Sequence, residues 1–479
     1  MHYVFLLVLC LLVFIDSGLA QGSASTSATT AIVYVYTMNH EVCHDMHEKQ
    51  TQRWNTFPTY VRETLNQALF TQQNSKDAQV VFISNYKNCA NIQKKIIDAI
   101  DPNMRTRLLN VDVADIQSTR TTNFINSSEN ILSATHGNLW IASSTRFFYI
   151  EDFLLKYNSF KDIIHLEADN LLYSPLVPLL PSLRKNYKDT IVATPMDANK
   201  SGITASFVWI SNKEALRRFT DYFINLTNIE SDDWLTYAGW LRRYACCKDH
   251  SGIAEDENGR GLKPFKVNEM TILANFRRLY PDYLQTFPIL PRFEYYRNRY
   301  TVNGSFFAPG GEEVGLSLYE LEPQVKVLED QKHLPLITNN DAGWQDRVAI
   351  PNEFGSLFDP GSWGQYLGGT NLKRGSNKGF SDSSHIIGQA VTTNHCVAEM
   401  RCGNINGLHY MHDDNNNSGK KCYQAPFVRC GSMEEYNGTK MTPWHPLIHL
   451  HVHSKNINKF LSKTKQCSCH SIGELKEKI

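Results

Sequence analysis

Residues 161–173 read KDIIHLEADNLLY and are the most informative segment of the chain. It opens with an apolar run of strand length, and Glu167 and Asp169 follow where that run ends. In open α/β sheets, ligands bind beyond the carboxyl ends of the strands. Carboxylate oxygens are hard ligands that suit Mn²⁺ or Mg²⁺. By spacing alone, a metal-binding strand end and a solvated acidic turn fit this stretch equally well.

Segments of alternating type surround this stretch. Five further runs have strand character, namely AIVYVYT, AQVVFIS, RLLNVDV, TIVATPM and ITASFVWIS (31–37, 78–84, 107–113, 190–196 and 203–211). Helical apolar spacing occupies 58–70, 91–100, 139–157, 213–226 and 268–284. Strands that alternate with helices over short connections predict an α/β fold, in which helices flank a mixed, mostly parallel sheet.

The chain changes character beyond about residue 290. Residues 300–400 are rich in Gly, Pro and Asn, which predicts long loops or a lid. PLIHLHVHSKNINKFL (446–461) predicts a strand that runs into a short helix. Within that strand His449, His451 and His453 alternate, so all three are expected on one face. Three imidazoles make poor core material because burying them unpaired is costly, so a functional role is favoured.

Length and charge bound the class of protein. The 479 residues exceed what one core usually serves, which predicts a large α/β domain with a sizeable appendage. Lys plus Arg and Asp plus Glu number 48 each, so no net charge attracts a polyanion. We therefore expect no nucleic-acid partner.

The N-terminus and the cysteines predict a secretory-pathway protein, either secreted or retained in the ER or Golgi lumen. Thirteen apolar residues from Tyr3 are too few for a membrane span, so residues 1–20 read as a signal peptide and 21–30 as a flexible leader. An uncleaved signal anchor is the alternative; otherwise no stable membrane span is expected. Ten cysteines remain, which predicts disulfides, including local ones within 396–430, although Cys467 and Cys469 also permit a zinc pair. Asn-x-Ser/Thr sites at Asn126, Asn199, Asn225, Asn303, Asn416 and Asn437 predict a glycoprotein.

LEADN after an apolar strand, with ITASFVWIS and a helix downstream, resembles the D-x-D region of GT-A glycosyltransferases. It is most similar to nucleotide-diphospho-sugar transferases with an H-L-E-x-D-N motif, which are distantly related to the retaining family that includes glycogenin. The resemblance covers most of residues 31–290, with a second patch at 445–461. It implies a catalytic domain over 31–290, a loop or lid region over 291–395, and a Cys-rich region over 396–479 that returns a His/Lys motif (449–455) to the site.

The resemblance also implies a metal centre and a phosphate contact. Asp169 would bind the metal directly, and Glu167, which stands where the family has Asp, would reach the metal or the donor ribose. His453 would complete the metal shell, with His451 in reserve. Lys455 would contact the diphosphate and offset charge on the departing nucleoside diphosphate.

Three further residues are implied as donor contacts. Arg146 on the helix before the acidic strand matches an Arg that such enzymes place near the nucleotide sugar, while a solvated surface Arg fits equally. Asp197 and Ser206 are candidate sugar contacts. Glu269 and the run from Glu230 to Asp233 supply further acids, one of which can serve as a base or orient the acceptor; such a run is also typical of a helix N-terminus. The segment LFDPGSWGQYLGG (357–369) suits either a lid over the donor or an ordinary connecting loop.

The predicted function is a Mn²⁺- or Mg²⁺-dependent glycosyltransferase. It would use a nucleoside-diphosphate sugar as donor and a glycan, a protein or a lipid as acceptor. Two alternatives stay open: a catalytically inactive, transferase-like protein that binds glycans, and a metal-dependent phosphohydrolase that uses the same acids.

Overall fold

A computed structural model describes most of the predicted α/β domain and parts of the chain beyond it. The described residues are 29–37, 58–85, 97–98, 100–136, 139–187, 189–195, 203–240, 267–287, 301–302, 305–306, 356–368, 396–404, 422–430, 445–453, 455, 457–462 and 466–467. The predicted signal peptide, most of the predicted leader and most of the helix predicted at 91–100 lie outside them. Among the helices of these ranges, none combines the length and the apolar character that crossing a membrane requires.

The strands are numbered in chain order. They are β1 Thr30–Tyr36, β2 Ala78–Ser84, β3 Leu108–Asp112, β4 Asp162–Leu166, β5 Asn170–Leu172, β6 Ile191–Pro195, β7 Ile203–Ile210, β8 Leu284–Thr286, β9 Thr301–Val302, β10 Ser305–Phe306, β11 Cys396–Asn404, β12 Cys422–Cys430, β13 His445–Pro446, β14 His449–His451 and β15 Gln466–Cys467.

The helices are numbered in the same way. They are α1 Thr59–Thr71, α2 Val113–Ile116, α3 Thr119–His136, α4 Leu139–Lys156, α5 Leu180–Asn186, α6 Lys213–Leu226, α7 Asp232–Trp240, α8 Glu269–Leu279 and α9 Ser362–Gly368. Short 3₁₀ helices lie at Arg105–Arg107, Val177–Leu179 and Ile457–Phe460.

Seven strands form one mixed sheet in the order β3-β2-β1-β4-β7-β6-β8. Neighbouring strands are parallel except where β7 pairs with β4 and β6. The predicted fold class, a mostly parallel α/β sheet flanked by helices, is confirmed. The antiparallel β7 has no local signature in the sequence, because its side chains are buried throughout, as those of a central parallel strand would be.

Alternate residues of β1 face two different cores. Val33 lies in a cluster with Phe147 of α4 and Phe219 of α6, whose rings meet edge to face with centroids 5.0 Å apart. Tyr34 lies in the opposite cluster with Leu65 of α1. Burying such side chains contributes about 1.5–3 kcal/mol each, so the two helical layers hold the strand ends at fixed positions.

The strand order reverses between β1 and β4. The chain moves from β1 outward through β2 and β3, and β4 lies on the other side of β1. In doubly wound sheets, ligands bind where the strand order reverses in this way, at the carboxyl ends of the strands. Tyr36 ends β1 there, and Glu167 follows β4 there.

A small ladder joins distant parts of the chain at this edge. β5 pairs antiparallel with β14, so that Asn170 lies opposite His451. Beyond the ladder, the Val452 amide donates to the carbonyl oxygen of Asp169 at 3.0 Å. Residues 449–452 of the His/Lys motif therefore lie beside the end of the LEADN segment.

Two predicted elements differ clearly in the structure, and one helix is an addition to the prediction. The run at 161–173 is two strands, β4 and β5, because the chain turns at the acids between them. The helix predicted at 268–284 ends at Leu279, and Leu284 begins β8. The polar helix α3 was not predicted at all.

The cysteine-containing strands pair as a separate antiparallel sheet. Cys396 in β11 is the backbone partner of Cys430 in β12, and Cys422 in β12 is the backbone partner of Cys467 in β15. The predicted disulfides stay predictions, as do the domain boundaries.

Candidate metal centre

Three side chains from the β4–β5 turn and from β14 form a compact cluster of potential metal ligands. Atoms of Glu167, Asp169 and His451 lie within 4.8 Å of one another. Nε2 of His451 is 3.2 Å from Oδ1 of Asp169 and 3.4 Å from Oε2 of Glu167. Ligands at right angles around a cation at about 2.1 Å lie about 3 Å apart, so these spacings suit neighbouring positions of an octahedral shell. Two carboxylates with one imidazole suit Mn²⁺, and the residues therefore fit a divalent cation.

Glu167 is fixed and ionised by its neighbours. Nη1 of Arg146 donates to Oε1 of Glu167 at 2.7 Å, which leaves Oε2 facing His451. Burial raises the pKa of Glu167, but the charges of Arg146 and His451 outweigh it and hold the pKa at about 2. The carboxylate is therefore charged at neutral pH, as a metal ligand must be.

Arg146 bridges two acids. Its Nε donates to the carbonyl oxygen of Ser143 at 2.6 Å, and its Nη2 lies 3.6 Å from Oε1 of Glu269. The predicted Arg146 therefore lies at the site but is engaged by protein groups, and its side chain is only 12% exposed. Its contacts orient Glu167.

Glu269 is buried at the first turn of α8. A capping box between Asn268 and Thr271 fixes the start of that helix. The Ser143 hydroxyl donates to Oε2 of Glu269 at 2.9 Å. Burial raises the pKa of Glu269 to about 7, against the opposing charge of Arg146.

Lys455 reaches the site from the turn after β14. Its ammonium forms an ion pair with Oδ2 of Asp169, and its Nζ lies 5.1 Å from the ring centroid of Tyr60. Burial lowers its pKa, while Glu167 acts in the opposite direction. The residue has a φ of 57°, which turns the backbone so that its side chain comes back to the acids. Lys455 therefore lies beside Asp169, and its predicted contact with the diphosphate stays a prediction.

His453, the first choice for the metal ligand, does not belong to the cluster of Glu167, Asp169 and His451. β14 ends at His451, so the alternation expected from the sequence stops before His453. The two imidazole centroids are 4.0 Å apart, and Nε2 of His453 is 2.9 Å from where a Cβ on Gly361 would lie. Burial and then His451 lower the pKa of His453 to about 3. The geometry favours His451 as the ligand, with His453 packed behind it.

His449 has a structural environment. Its Nδ1 contacts Oδ1 of Asn170 at 2.9 Å, and its Nε2 accepts from the Asp359 amide at 3.2 Å. Because Nε2 accepts, Nδ1 carries the proton and donates. The ring stacks on Phe207 with centroids 4.8 Å apart, and burial lowers its pKa well below the usual value.

The two predicted sugar contacts are Ser206 and Asp197. Ser206 is fully buried in β7, and its carbonyl oxygen accepts from the Glu167 amide at 3.2 Å and from the side chain of Asn170. Among the described residues, its hydroxyl has no hydrogen-bond partner. Asp197 lies outside the described residues.

Asp359 is a residue near the site that the sequence does not predict. It is fully buried beside β14, and burial raises its pKa to about 6 although backbone amides oppose that shift. Nothing in the letters DPGSW distinguishes it from an ordinary turn residue.

No protein-family model and no curated protein matches the chain. Solved structures to which it is similar include mouse xyloside xylosyltransferase 1, with a TM-score of 0.33 and 11% identity over 56% of this chain and 90% of that one. They also include the galactosyltransferase LgtC in complex with donor and acceptor sugar analogs, with a TM-score of 0.29 and 11% identity over 55% and 75% of the two chains. The mannosyltransferase Ktr4p from S. cerevisiae gives a TM-score of 0.23 and 10% identity over 45% and 52%. Each of these neighbours is a glycosyltransferase.

Proposed function

We propose that this protein is a divalent-cation-dependent glycosyltransferase of the GT-A type that uses a nucleoside-diphosphate sugar. The observation that carries the proposal is the meeting of Glu167, Asp169, His451 and Lys455 at the reversal point of a mostly parallel sheet. Two carboxylates and one imidazole are suited to a cation, and an ammonium beside them is suited to phosphate oxygens.

Each side chain has a distinct role in this proposal. Glu167, Asp169 and His451 hold Mn²⁺ or Mg²⁺, which when bound offsets the charge of the donor diphosphate. Arg146 holds Glu167 in place through its 2.7 Å hydrogen bond. Lys455 exchanges its contact with Asp169 for the phosphates, where its charge stabilises the leaving nucleoside diphosphate. The acceptor is a glycan, a protein or a lipid in the secretory pathway.

The ends of neighbouring strands favour this proposal over a phosphohydrolase. A metal-dependent phosphohydrolase with the same acids would be expected to place further carboxylates or imidazoles on successive strand ends. β1 and β2 end instead in Tyr36 and Ser84. Asp112 at the end of β3 accepts from the Ala114 amide at 2.9 Å and so caps α2.

The test is a panel of nucleotide sugars, assayed for release of nucleoside diphosphate with Mn²⁺, with Mg²⁺ and with a chelator. We expect release from one donor that depends on the cation and disappears in Asp169→Ala, whose circular dichroism should match that of the wild type. Full turnover in a well-folded Asp169→Ala would refute the assignment. Phosphate release from simple esters would select the phosphohydrolase, and glycan binding without turnover would select the inactive binding protein.

A further inference from the structure

Asp359 is the centre of a buried hydrogen-bond cluster on the side of β14 away from the acids. Its Oδ1 accepts from the amides of Gly361 and Trp363 at 2.8 and 3.0 Å. Its Oδ2 accepts from the amides of Gly364 and His451 at 3.0 and 2.8 Å. Three of these donors belong to its own segment, and the fourth is the backbone of the residue whose imidazole faces Glu167 and Asp169.

This segment lies so close to β14 that no side chain fits between them at Gly364. A Cβ on Gly364 would overlap the carbonyl oxygen of His451. Gly361 has a φ of +93°, which disfavours residues other than Gly. The adjoining backbone is paired as well, because Leu357 and Leu447 form a parallel bridge. Residues 356–364 are buried, so this part of the predicted loop or lid region supports the strand.

The imidazole of His451 lacks the usual second support. A histidine that binds metal through one ring nitrogen is generally oriented by a hydrogen bond at the other. Within the described part of the chain, Nδ1 of His451 has no hydrogen-bond partner. The ring position therefore depends on the backbone of His451, and that backbone is bonded to Asp359.

We propose that Asp359 is a positioning residue for the cation site. Its carboxylate fixes the backbone of His451 so that Nε2 points between Glu167 and Asp169, and it thereby sets the affinity for the divalent cation. The inference rests on the proposed metal-dependent function and assigns to Asp359 a role that the sequence did not suggest.

The test compares Mn²⁺ binding by the wild type and Asp359→Asn, followed by the electron paramagnetic resonance of free Mn²⁺. An amide cannot accept at its nitrogen, so Asn loses the bonds from Gly364 and His451 in one orientation, and in the other it loses those from Gly361 and Trp363, which hold the segment against β14. Loss of an outer-shell partner typically weakens metal binding about 10- to 100-fold, and we expect a change of that size. The ¹⁴N hyperfine coupling of Mn²⁺ at saturation, which reports the imidazole ligand, should weaken in parallel.

Matched variants separate positioning from general damage to the core. Asp152→Asn alters another buried carboxylate, one that accepts from Ser118 and Thr121, and should keep wild-type Mn²⁺ affinity. Gly364→Ala leaves Asp359 intact but forces β14 to move, so it should also lose affinity. Gly239→Ala, where an added Cβ meets nothing within 4 Å, is its control. Should Asp359→Asn fail to fold, Gly364→Ala decides.

The outcomes distinguish this inference from the proposed function. Wild-type affinity and an unchanged ¹⁴N coupling in both Asp359→Asn and Gly364→Ala would overturn the positioning role and leave the metal site standing. A wild-type protein that binds no Mn²⁺ would overturn both. An equal loss in Asp152→Asn would show a general effect of buried carboxylates and would also overturn the role of Asp359.

Discussion

Replacing Glu269 by Gln should change how the stability of the protein depends on pH. In the folded protein, burial raises the pKa of this carboxyl from 4.5 to about 7. Between these two pH values the folded state binds a proton that the unfolded state releases. The free energy of unfolding therefore decreases as pH rises. From pH 5 to pH 8 the titration of Glu269 alone should lower the free energy of unfolding of the wild type by about 2.5 kcal/mol.

Glu269→Gln removes that dependence while retaining the shape of the side chain. In the wild type the Ser143 hydroxyl donates to Oε2 of Glu269, and the Gln amide can keep a hydrogen bond to that hydroxyl. The assay is urea unfolding of both proteins in chelator at several values of pH between 5 and 8. Taking the difference between the two proteins cancels every other titrating group.

We expect the stability of Glu269→Gln relative to the wild type to increase by about 2–3 kcal/mol over that range. A difference that stays constant with pH would refute the reasoning, because Glu269 would then titrate alike in both states. A difference of opposite sign would mean that Arg146, 3.6 Å from the carboxylate, outweighs burial.

Three further predictions concern the site directly. Lys455→Met keeps the aliphatic stem but removes the ammonium, so kcat for nucleoside diphosphate release should fall about 100-fold or more; the unfolding midpoint should hardly change, since the side chain is 38% exposed. A kcat within threefold of wild type would count against its phosphate role. His451→Ala should weaken Mn²⁺ binding by about tenfold or more, whereas His453→Ala should change it far less, and calorimetric titration that gives the reverse order would restore His453 as the ligand. Gly361→Ala should lower the free energy of unfolding by about 1–3 kcal/mol, because its φ of +93° is strained for Ala; urea unfolding with no loss would contradict that backbone conformation.

Much of the sheet was predictable because its strands are short, apolar and bounded by turns. The helix α3 was missed for a physical reason. Its sequence TRTTNFINSSENILSATH is dominated by Thr, Ser and Asn, which favour caps and turns over helix interiors. Packing overrides that preference, since Phe124 stacks on Phe148 of α4 with centroids 4.0 Å apart.

The proximity of Glu167, Asp169 and Lys455 follows from the sequence prediction, while their roles stay predictions; the position of His451 in their cluster, in place of His453, could not be predicted. Alternation along a strand places both histidines on one face only while the strand continues. β14 ends at His451, and the Val452 amide donates to the carbonyl oxygen of Asp169. The ladder with β5 decides this ending, and a pairing between residues nearly three hundred positions apart leaves no local trace. Asp359 was missed for the same reason, because its value lies in a bond to the backbone of His451.

Anomalous diffraction at the manganese edge, from crystals grown with Mn²⁺ and a nucleoside diphosphate, tests whether the side chains of Glu167, Asp169 and His451 form the cation site. We expect a peak enclosed by the carboxylates of Glu167 and Asp169 and by Nε2 of His451, with Lys455 turned toward the diphosphate. A peak at another place, or no peak in crystals of protein that binds Mn²⁺ in solution, would contradict that assignment.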